Sequence, residues 1–139
     1  MEKNDIVEVW SQYASAAEEV TNKRQNINAV FITVQIALLG FIVSDLKLLG
    51  ICLSLAGLLV SIIWIFMIIS YKKLNSVKFE VIQELEKDME VTPYTIEWNK
   101  LKMKKYIRLT TIEMICSGIF VVGFVITLVL SILGTCGKI

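Results

Sequence analysis

The stretch Leu48–Tyr71, LLGICLSLAGLLVSIIWIFMIISY, contains 24 consecutive uncharged residues. As a helix it would rise about 36 Å, which is enough to cross the roughly 30 Å hydrocarbon core of a bilayer. Two further uncharged stretches of comparable length are Gln25–Ser44 and Met114–Gly137. Hydrophobic residues make up 55% of the 139 positions, which is more than is usual for a soluble domain. The sequence therefore predicts an all-α membrane protein with three transmembrane helices.

The residues before the first apolar stretch are predicted to form an amphipathic helix. Between Ile6 and Val20 the apolar side chains recur at helical intervals, and Glu8, Glu18 and Glu19 lie off that stripe. Because this segment has no continuous apolar run, we expect the first transmembrane helix to act as its own insertion signal.

The second apolar stretch is predicted to continue as a helix beyond the membrane. Neither Gly nor Pro occurs between Tyr71 and Pro93, so the helix should extend about 20 residues, or roughly 30 Å, before the chain turns. A return helix from about Tyr94 is expected to merge with the third span near Thr110. The predicted segments are a cytoplasmic amphipathic helix (1–24), three transmembrane helices (25–44, 46–70 and 111–134), a cytoplasmic helical hairpin (71–110) and an external tail (135–139).

The distribution of cations predicts the orientation in the membrane. Twelve of the 14 Lys and Arg residues lie before the first span or between the second and third, and only Lys47 and Lys138 lie on the other side. Because cytoplasmic segments carry an excess of Lys and Arg, this asymmetry places the N-terminus in the cytoplasm and the C-terminus outside.

The sequence offers little that would support enzymatic chemistry. It has no histidine, no glycine-rich phosphate loop and no cysteine spacing typical of a metal site. We therefore expect neither an enzyme nor a cofactor. Cys52, Cys116 and Cys136 are interpreted as free or buried thiols, with a bridge between Cys52 and Cys136 left open. The acidic run of Glu80, Glu84, Glu86, Asp88 and Glu90 is interpreted as a solvated helix face.

Amide side chains interrupt the first apolar stretch. Arg24, Asn28 and Gln35 share one helical face, and a spanning helix must draw Asn26 and Asn28 into the inner edge of the membrane. These amides either hydrogen-bond to neighbouring helices or, in an oligomer, line an aqueous path at the symmetry axis.

Glu113 lies at the cytoplasmic edge of the third span and also has two interpretations. Its carboxylate either reaches the interface, where it would pair with Arg108 or Lys105, or takes part in ion conduction or gating.

Small residues recur on one face of each of the other two spans and are interpreted as helix-packing faces. They are Gly50, Ser54, Gly57 and Ser61 in the second span and Gly123, Thr127, Ser131 and Gly134 in the third. Three helices have too few faces to enclose a pore, so transport would require a homo-oligomer of four or more copies.

A group of cations and one tryptophan is predicted to surround the inner membrane edge. We call this set the basic collar: Lys23, Arg24, Lys72, Lys73, Lys78, Trp98, Lys100, Lys104, Lys105 and Arg108. The basic collar either sets topology and touches anionic lipid, or binds a nucleotide or short single-stranded oligonucleotide through charge and stacking.

Several short motifs resemble those of bacterial small integral membrane proteins. They are Trp10 with Tyr13, Arg24-Gln25-Asn26, Ser70-Tyr71, Leu74-Asn75, Lys78-Phe79, Val81-Ile82, Glu84-Leu85-Glu86, Pro93-Tyr94 and Glu97-Trp98, and the likeness covers roughly residues 8 to 98. Such proteins resemble membrane effectors encoded beside nucleotidyltransferases in anti-phage operons, such as the Hailong-type channel that a DNA oligomer holds shut. The resemblance implies a bacterial inner-membrane location, a role in defence, and a nucleotidyltransferase partner.

Three hypotheses follow for function. The first is a homo-oligomeric ion channel or pore-forming effector, with the Asn28 and Gln35 face near the axis and the basic collar as its ligand switch. The second is a non-conducting scaffold that docks a cytosolic partner. The third is a membrane enzyme similar to bacterial diacylglycerol kinase, whose interfacial acidic motif the segment Thr110-Thr111-Ile112-Glu113 faintly resembles.

Overall fold

The computed structural model describes residues 3–44, 47–104 and 107–137. Four helices occupy most of these residues: α1 Lys3–Ser44, α2 Leu48–Glu86, α3 Pro93–Met103 and α4 Leu109–Thr135. No strand occurs in the described ranges. The helices α1, α2 and α4 are each long and apolar enough to cross a membrane. The predicted all-α class with three candidate spans is therefore confirmed.

The chain divides into two compact units. The polar unit consists of Met1–Gln25 and Ser70–Arg108, and the membrane unit consists of Asn26–Ile69 and Leu109–Ile139. Since α1 and α2 are continuous helices, each contributes to both units. The predicted boundary between residues 24 and 25 is consequently not a break in the helix.

The membrane unit packs through the small-residue face of α2. Gly50, Ser54, Gly57 and Ser61 are all buried, which confirms their interpretation as a packing face. At Gly57, an added Cβ would lie 2.1 Å from Cε1 of Phe124, a residue of α4 that is itself fully buried. Glycine is required here because the aromatic ring occupies the space that any side chain would need.

In α4 the corresponding face is less completely covered. Ser131 is buried, whereas Gly123, Thr127 and Gly134 are half-buried. Among the free cysteines, Cys52 and Cys136 are exposed and Cys116 is half-buried. The bridge between Cys52 and Cys136 is therefore absent.

The polar unit has its own small core of aliphatic and aromatic side chains. Ala17 and Ile82 are buried. The Tyr94 ring lies 5.9 Å from Trp10 in an edge-on arrangement and 5.7 Å from Phe79, measured between ring centroids. Such aromatic contacts each contribute about 0.5–1.5 kcal/mol beyond area burial.

The expected merging of the return helix with the third span is wrong. The helix α3 ends at Met103, where the Lys104 N–H bonds the Leu101 carbonyl at 3.1 Å, and Arg108 precedes α4 outside any helix. The residues around this end carry several cations and no anion. Like charges four residues apart, as at Lys100 and Lys104, destabilise a helix, which is a physical reason for the break.

Replacing Gly57 by alanine is expected to destabilise the membrane unit by about 1–3 kcal/mol, the usual effect of overpacking a filled core. Unfolding in mixed SDS micelles would measure the change. Gly118→Ala is the matched control, because an added Cβ there meets nothing within 4 Å. Equal stability of Gly57→Ala and the wild type would contradict the tight contact with Phe124.

Candidate functional site

Asn28 joins the three long helices inside the membrane unit. Its side-chain N–H donates to Oε1 of Glu113 on α4, and its Oδ1 accepts a 2.9 Å hydrogen bond from Nε1 of Trp64 on α2. Glu113 is 5% exposed and Trp64 is 1% exposed. Both ends of the Asn28 amide are therefore used, and the hydrogen bonds run from the indole through the amide to the carboxylate.

Two aromatic rings pack against the Trp64 end of this polar network. The Trp64 ring stacks on Phe31 of α1 at 5.8 Å, nearly parallel, and lies 6.1 Å from Phe120 of α4. A hydrogen bond that is shielded from water by apolar rings is electrostatically stronger than an exposed one. The network thus fixes the relative positions of α1, α2 and α4 in one layer of the unit.

Gln35 occupies a second polar layer and is completely buried. The Ser61 hydroxyl lies within donating distance of Gln35 Oε1, at 3.0 Å, and of the Gly57 carbonyl, at 2.8 Å. One hydroxyl has a single proton to donate, so the two acceptors share it. The Gln35 Nε2 group has no hydrogen-bond partner among the described residues.

A third polar layer lies farther along α2 and α4. The hydroxyls of Ser54 and Thr127 are 3.0 Å apart, and Thr127 also donates to the Phe124 carbonyl. The buried Ser131 hydroxyl has no partner within the described part of the chain. Sequence reasoning identified Ser54, Ser61 and Thr127 as small packing residues but not as hydrogen-bond partners.

The amide face of α1 thus lies inside one protomer. Asn28 and Gln35 bond to α4 and α2 of the same chain, whereas Asn26 is exposed on another side of α1. Because Gln35 is fully buried within one copy, it is not available to line a path between copies. Glu113 is buried beside Asn28, so its carboxylate does not extend to the surface.

Three cations of the basic collar are engaged or covered within the polar unit. Lys23 forms a 2.7 Å ion pair with Glu19, and this hydrogen bond raises the pKa of Lys23 and lowers the pKa of Glu19. Arg24 is buried, and the ammonium of Lys78 lies 5.9 Å from the centre of the Tyr13 ring. These three cations are therefore engaged with other groups of the chain or covered by them.

The remaining described cations of the collar are exposed. They are Lys72, Lys73, Lys100, Lys104 and Arg108. Trp98 is approached by two cations, Lys102 at 5.3 Å and Arg108 at 5.7 Å from the ring centre. Lys102 was not among the predicted ligand-binding residues, and the predicted residue Lys105 lies outside the described ranges.

The interpretation of Glu86 as part of a solvated helix face is wrong. Glu86 is 1% exposed instead of solvated. Its carboxylate accepts hydrogen bonds from the Tyr94 N–H at 2.8 Å, the Thr95 N–H at 2.9 Å and the Thr95 hydroxyl at 2.7 Å. It therefore caps the first turn of α3, where Thr92 makes no side-chain cap and Pro93 supplies no N–H.

The environment of Glu86 shifts two pKa values. Burial alone would raise the pKa of Glu86, but the hydrogen bonds from Thr95 and Tyr94 lower it overall. The pKa of Tyr94 is raised by burial and by the nearby carboxylates of Glu97, Glu18 and Glu86.

A family model described as the octameric membrane protein family, 8xMP, matches residues 7–133. The chain belongs to the 8xMP family. No curated protein and no solved structure matches the chain. Membership of 8xMP makes this chain a membrane protein that functions as a homo-oligomer. The more specific resemblance to Hailong-type anti-phage effectors remains a prediction.

In this 8xMP chain the polar networks join helices of the same protomer. The described residues contain no group of three or more His, Cys, Asp or Glu side chains that could hold a metal ion. A carboxylate, an amide and an indole in one buried line can orient helices, and a carboxylate capping a helix can position a loop. What the arrangement does is fix helix positions in both units.

Replacing Asn28 by leucine is expected to destabilise the membrane unit by about 1–3 kcal/mol, because it removes the hydrogen bonds to the buried Trp64 indole and the Glu113 carboxylate. Gln35→Leu is the matched comparison. It removes one hydrogen bond but also removes the unpaired Nε2, so its effect should be under about 1 kcal/mol. Unfolding in mixed SDS micelles would rank the two, and a larger loss for Gln35→Leu would contradict the described network.

The Glu86→Gln variant is expected to lose about 1–3 kcal/mol in the stability of the polar unit, because a charged acceptor of several hydrogen bonds becomes neutral. The lowered pKa predicts that the wild type loses this contribution as pH falls below about 4.5. The variant should show less acid dependence in that window.

Limited proteolysis of the polar unit between pH 7 and pH 3 would measure both effects. Glu84→Gln is the control, since Glu84 is exposed and its ion pair is with the exposed Lys87, and surface pairs contribute little. Equal protection of Glu86→Gln and wild type at pH 7 would contradict the capping role.

Proposed function

We propose that this chain forms a homo-octameric ion channel in the bacterial inner membrane, serving as an effector in anti-phage defence and opened or closed by an anionic nucleotide or oligonucleotide at the basic collar. The observation that carries the proposal is the match of residues 7–133 to a family of octameric membrane proteins. The proposal assigns the chain no enzymatic activity.

The filled interior of one protomer favours an ion path between copies rather than an ion path through each copy. Gln35, Ser54, Ser61, Ser117 and Phe124 are completely buried. The Phe124 ring also fills the space beside Gly57. A conducting path therefore has to run along an axis that several chains share.

An octamer has room for such a path. Eight helices spaced about 8–10 Å apart in a ring leave an opening roughly 10–15 Å across, after a helix radius of about 5 Å is subtracted. One helix from each copy suffices to build that ring. The two other spans of each copy would then separate the ring from lipid.

Free positive charge on the polar unit supports an anionic ligand. Among the described residues, Lys72, Lys73, Lys100 and Lys104 are exposed and form no ion pair. On α3, Trp98 offers an aromatic surface on which a base can stack. The resemblance to effectors encoded beside nucleotidyltransferases suggests the source of such a ligand. The excess of cations between the second and third spans supports a cytoplasmic location for this surface.

Purified octamers in liposomes are expected to pass ions, and adding a short single-stranded oligonucleotide should change the flux. Replacing both Lys100 and Lys104 by glutamate should weaken oligonucleotide binding at least tenfold and reduce its dependence on salt. Fluorescence anisotropy and ion-flux measurements on the same preparation would test this.

Lys87→Glu is the control variant, because Lys87 already pairs with Glu84 at 2.7 Å and lies outside the basic collar. Intact octamers that pass no ions with or without ligand would contradict the channel and favour a non-conducting scaffold. Flux that the oligonucleotide leaves unchanged would contradict only the ligand switch.

A further inference from the structure

One outward stripe of α1 in the membrane unit consists only of small and polar residues. We call it the α1 stripe: Asn26, Ala29, Thr33, Ala37, Gly40 and Ser44. Its members are spaced three or four residues apart, which places them on one side of the helix. All six are exposed in the single chain. The stripe lies opposite Gln35 and Ile42, which are completely buried.

Beside the stripe, α1 also exposes the larger apolar residues Val30, Ile36, Phe41 and Val43. The outward faces of the other two spans consist mainly of residues of this kind. On α2 the exposed residues include Leu55, Leu59, Ile62 and Phe66. On α4 they include Ile115, Ile119, Val122 and Val129. Large aliphatic and aromatic side chains are what a helix presents to lipid tails, because burial in hydrocarbon suits them and they need no hydrogen bonds.

Gly40, a member of the stripe, favours close approach of neighbouring copies of the chain around the stripe. An added Cβ at Gly40 would meet no atom within 4 Å, so the protomer itself does not require glycine there. A glycine inside a helix costs about 1 kcal/mol relative to alanine. Small residues in membrane helices let a neighbouring backbone approach closely.

An added Cβ would also meet no atom within 4 Å at two glycines of α4, Gly118 and Gly123. They are half-buried rather than exposed, and the outward face beside them carries Ile119 and Val122. Gly40 of α1 is both exposed and free of atoms within 4 Å of an added Cβ, and it shares its face with amide and hydroxyl side chains. No other described glycine of the three spans combines these features. This combination distinguishes α1 from the two spans with lipid-like surfaces.

We propose that the α1 stripe faces the shared axis of the octamer, where the other copies of this chain cover it from lipid. This inference rests on the proposed octamer and adds the residues that surround its axis. It replaces the Asn28 and Gln35 face, which bonds to α2 and α4 of the same protomer, with the opposite side of the same helix.

The chemistry of the stripe suits a ring around an aqueous path. The Thr33 hydroxyl donates its proton to the Ala29 carbonyl of its own helix at 2.8 Å, so its remaining lone pairs are free to accept from water or to contact a cation. Asn26 places an amide at one end of the stripe and Ser44 a hydroxyl at the other. Eight copies would give a ring of each.

Single cysteines in a background without Cys52, Cys116 and Cys136 would test this orientation. Thr33→Cys reports on the α1 stripe. Ile62→Cys and Val122→Cys are matched controls from the outward faces of α2 and α4, at similar depth, since Gln35 contacts Ser61 and Trp64 contacts Phe120. Each protein would be reconstituted, confirmed as an octamer by mass, and treated with a bismaleimide crosslinker and with a water-soluble maleimide.

We expect Thr33→Cys to crosslink between copies, or to react with the water-soluble reagent, at least tenfold more than either control. Reactivity of Thr33→Cys equal to or below that of Ile62→Cys or Val122→Cys, in an intact octamer, would overturn the inference. Gly40→Leu should reduce octamer yield or ion flux at least fivefold, and unchanged yield and flux would also count against it.

The two proposals fail in different ways. Octamers with reactive Thr33→Cys but no ion flux would refute conduction and leave the orientation of α1 in place. Octamers that conduct while Thr33→Cys stays unreactive would refute the orientation and leave the channel in place.

Discussion

The membrane unit depends on one constraint: polar groups that lie between apolar helices must find hydrogen-bond partners within the protein, because lipid offers none. Asn28 meets this constraint for three helices at once, since it accepts from Trp64 and donates to Glu113. The position of each helix in that layer is tied to the other two through one amide. The glycine and serine face of α2 then allows the helices to approach closely enough for these short side chains to meet.

Sequence patterns were sufficient to identify the three spans, because uncharged apolar stretches of 20 or more residues are typical of membrane-spanning helices and rare in soluble domains. They also identified the α2 packing face, since small residues at helical spacing are typical of close helix contact. The partners of the amides were not predictable. Helical periodicity shows that Asn28 and Gln35 share a face, but it contains no information on which neighbouring helix that face meets.

Glu86 illustrates a second limit of sequence reasoning. Its acidic neighbours Glu84 and Asp88 suggest a solvated face, and local composition cannot distinguish a carboxylate that turns back to cap the next helix. A signal was present nonetheless, because α3 begins with proline and lacks an effective N-cap side chain. A helix start without a local cap requires another acceptor for its first N–H groups, and a carboxylate at the end of the preceding helix can supply it.

The Nε2 of Gln35, which has no hydrogen-bond partner among the described residues, affects how the membrane unit behaves over time. A buried donor without an acceptor costs about 1–3 kcal/mol, so this layer is locally frustrated while the Asn28 layer beside it is satisfied. Regions of low local stability open more often than the rest of a fold. Water is expected to enter the bundle first beside Gln35 and Ser61, and hydrogen exchange in the middle of α1 should be faster there than near Asn28.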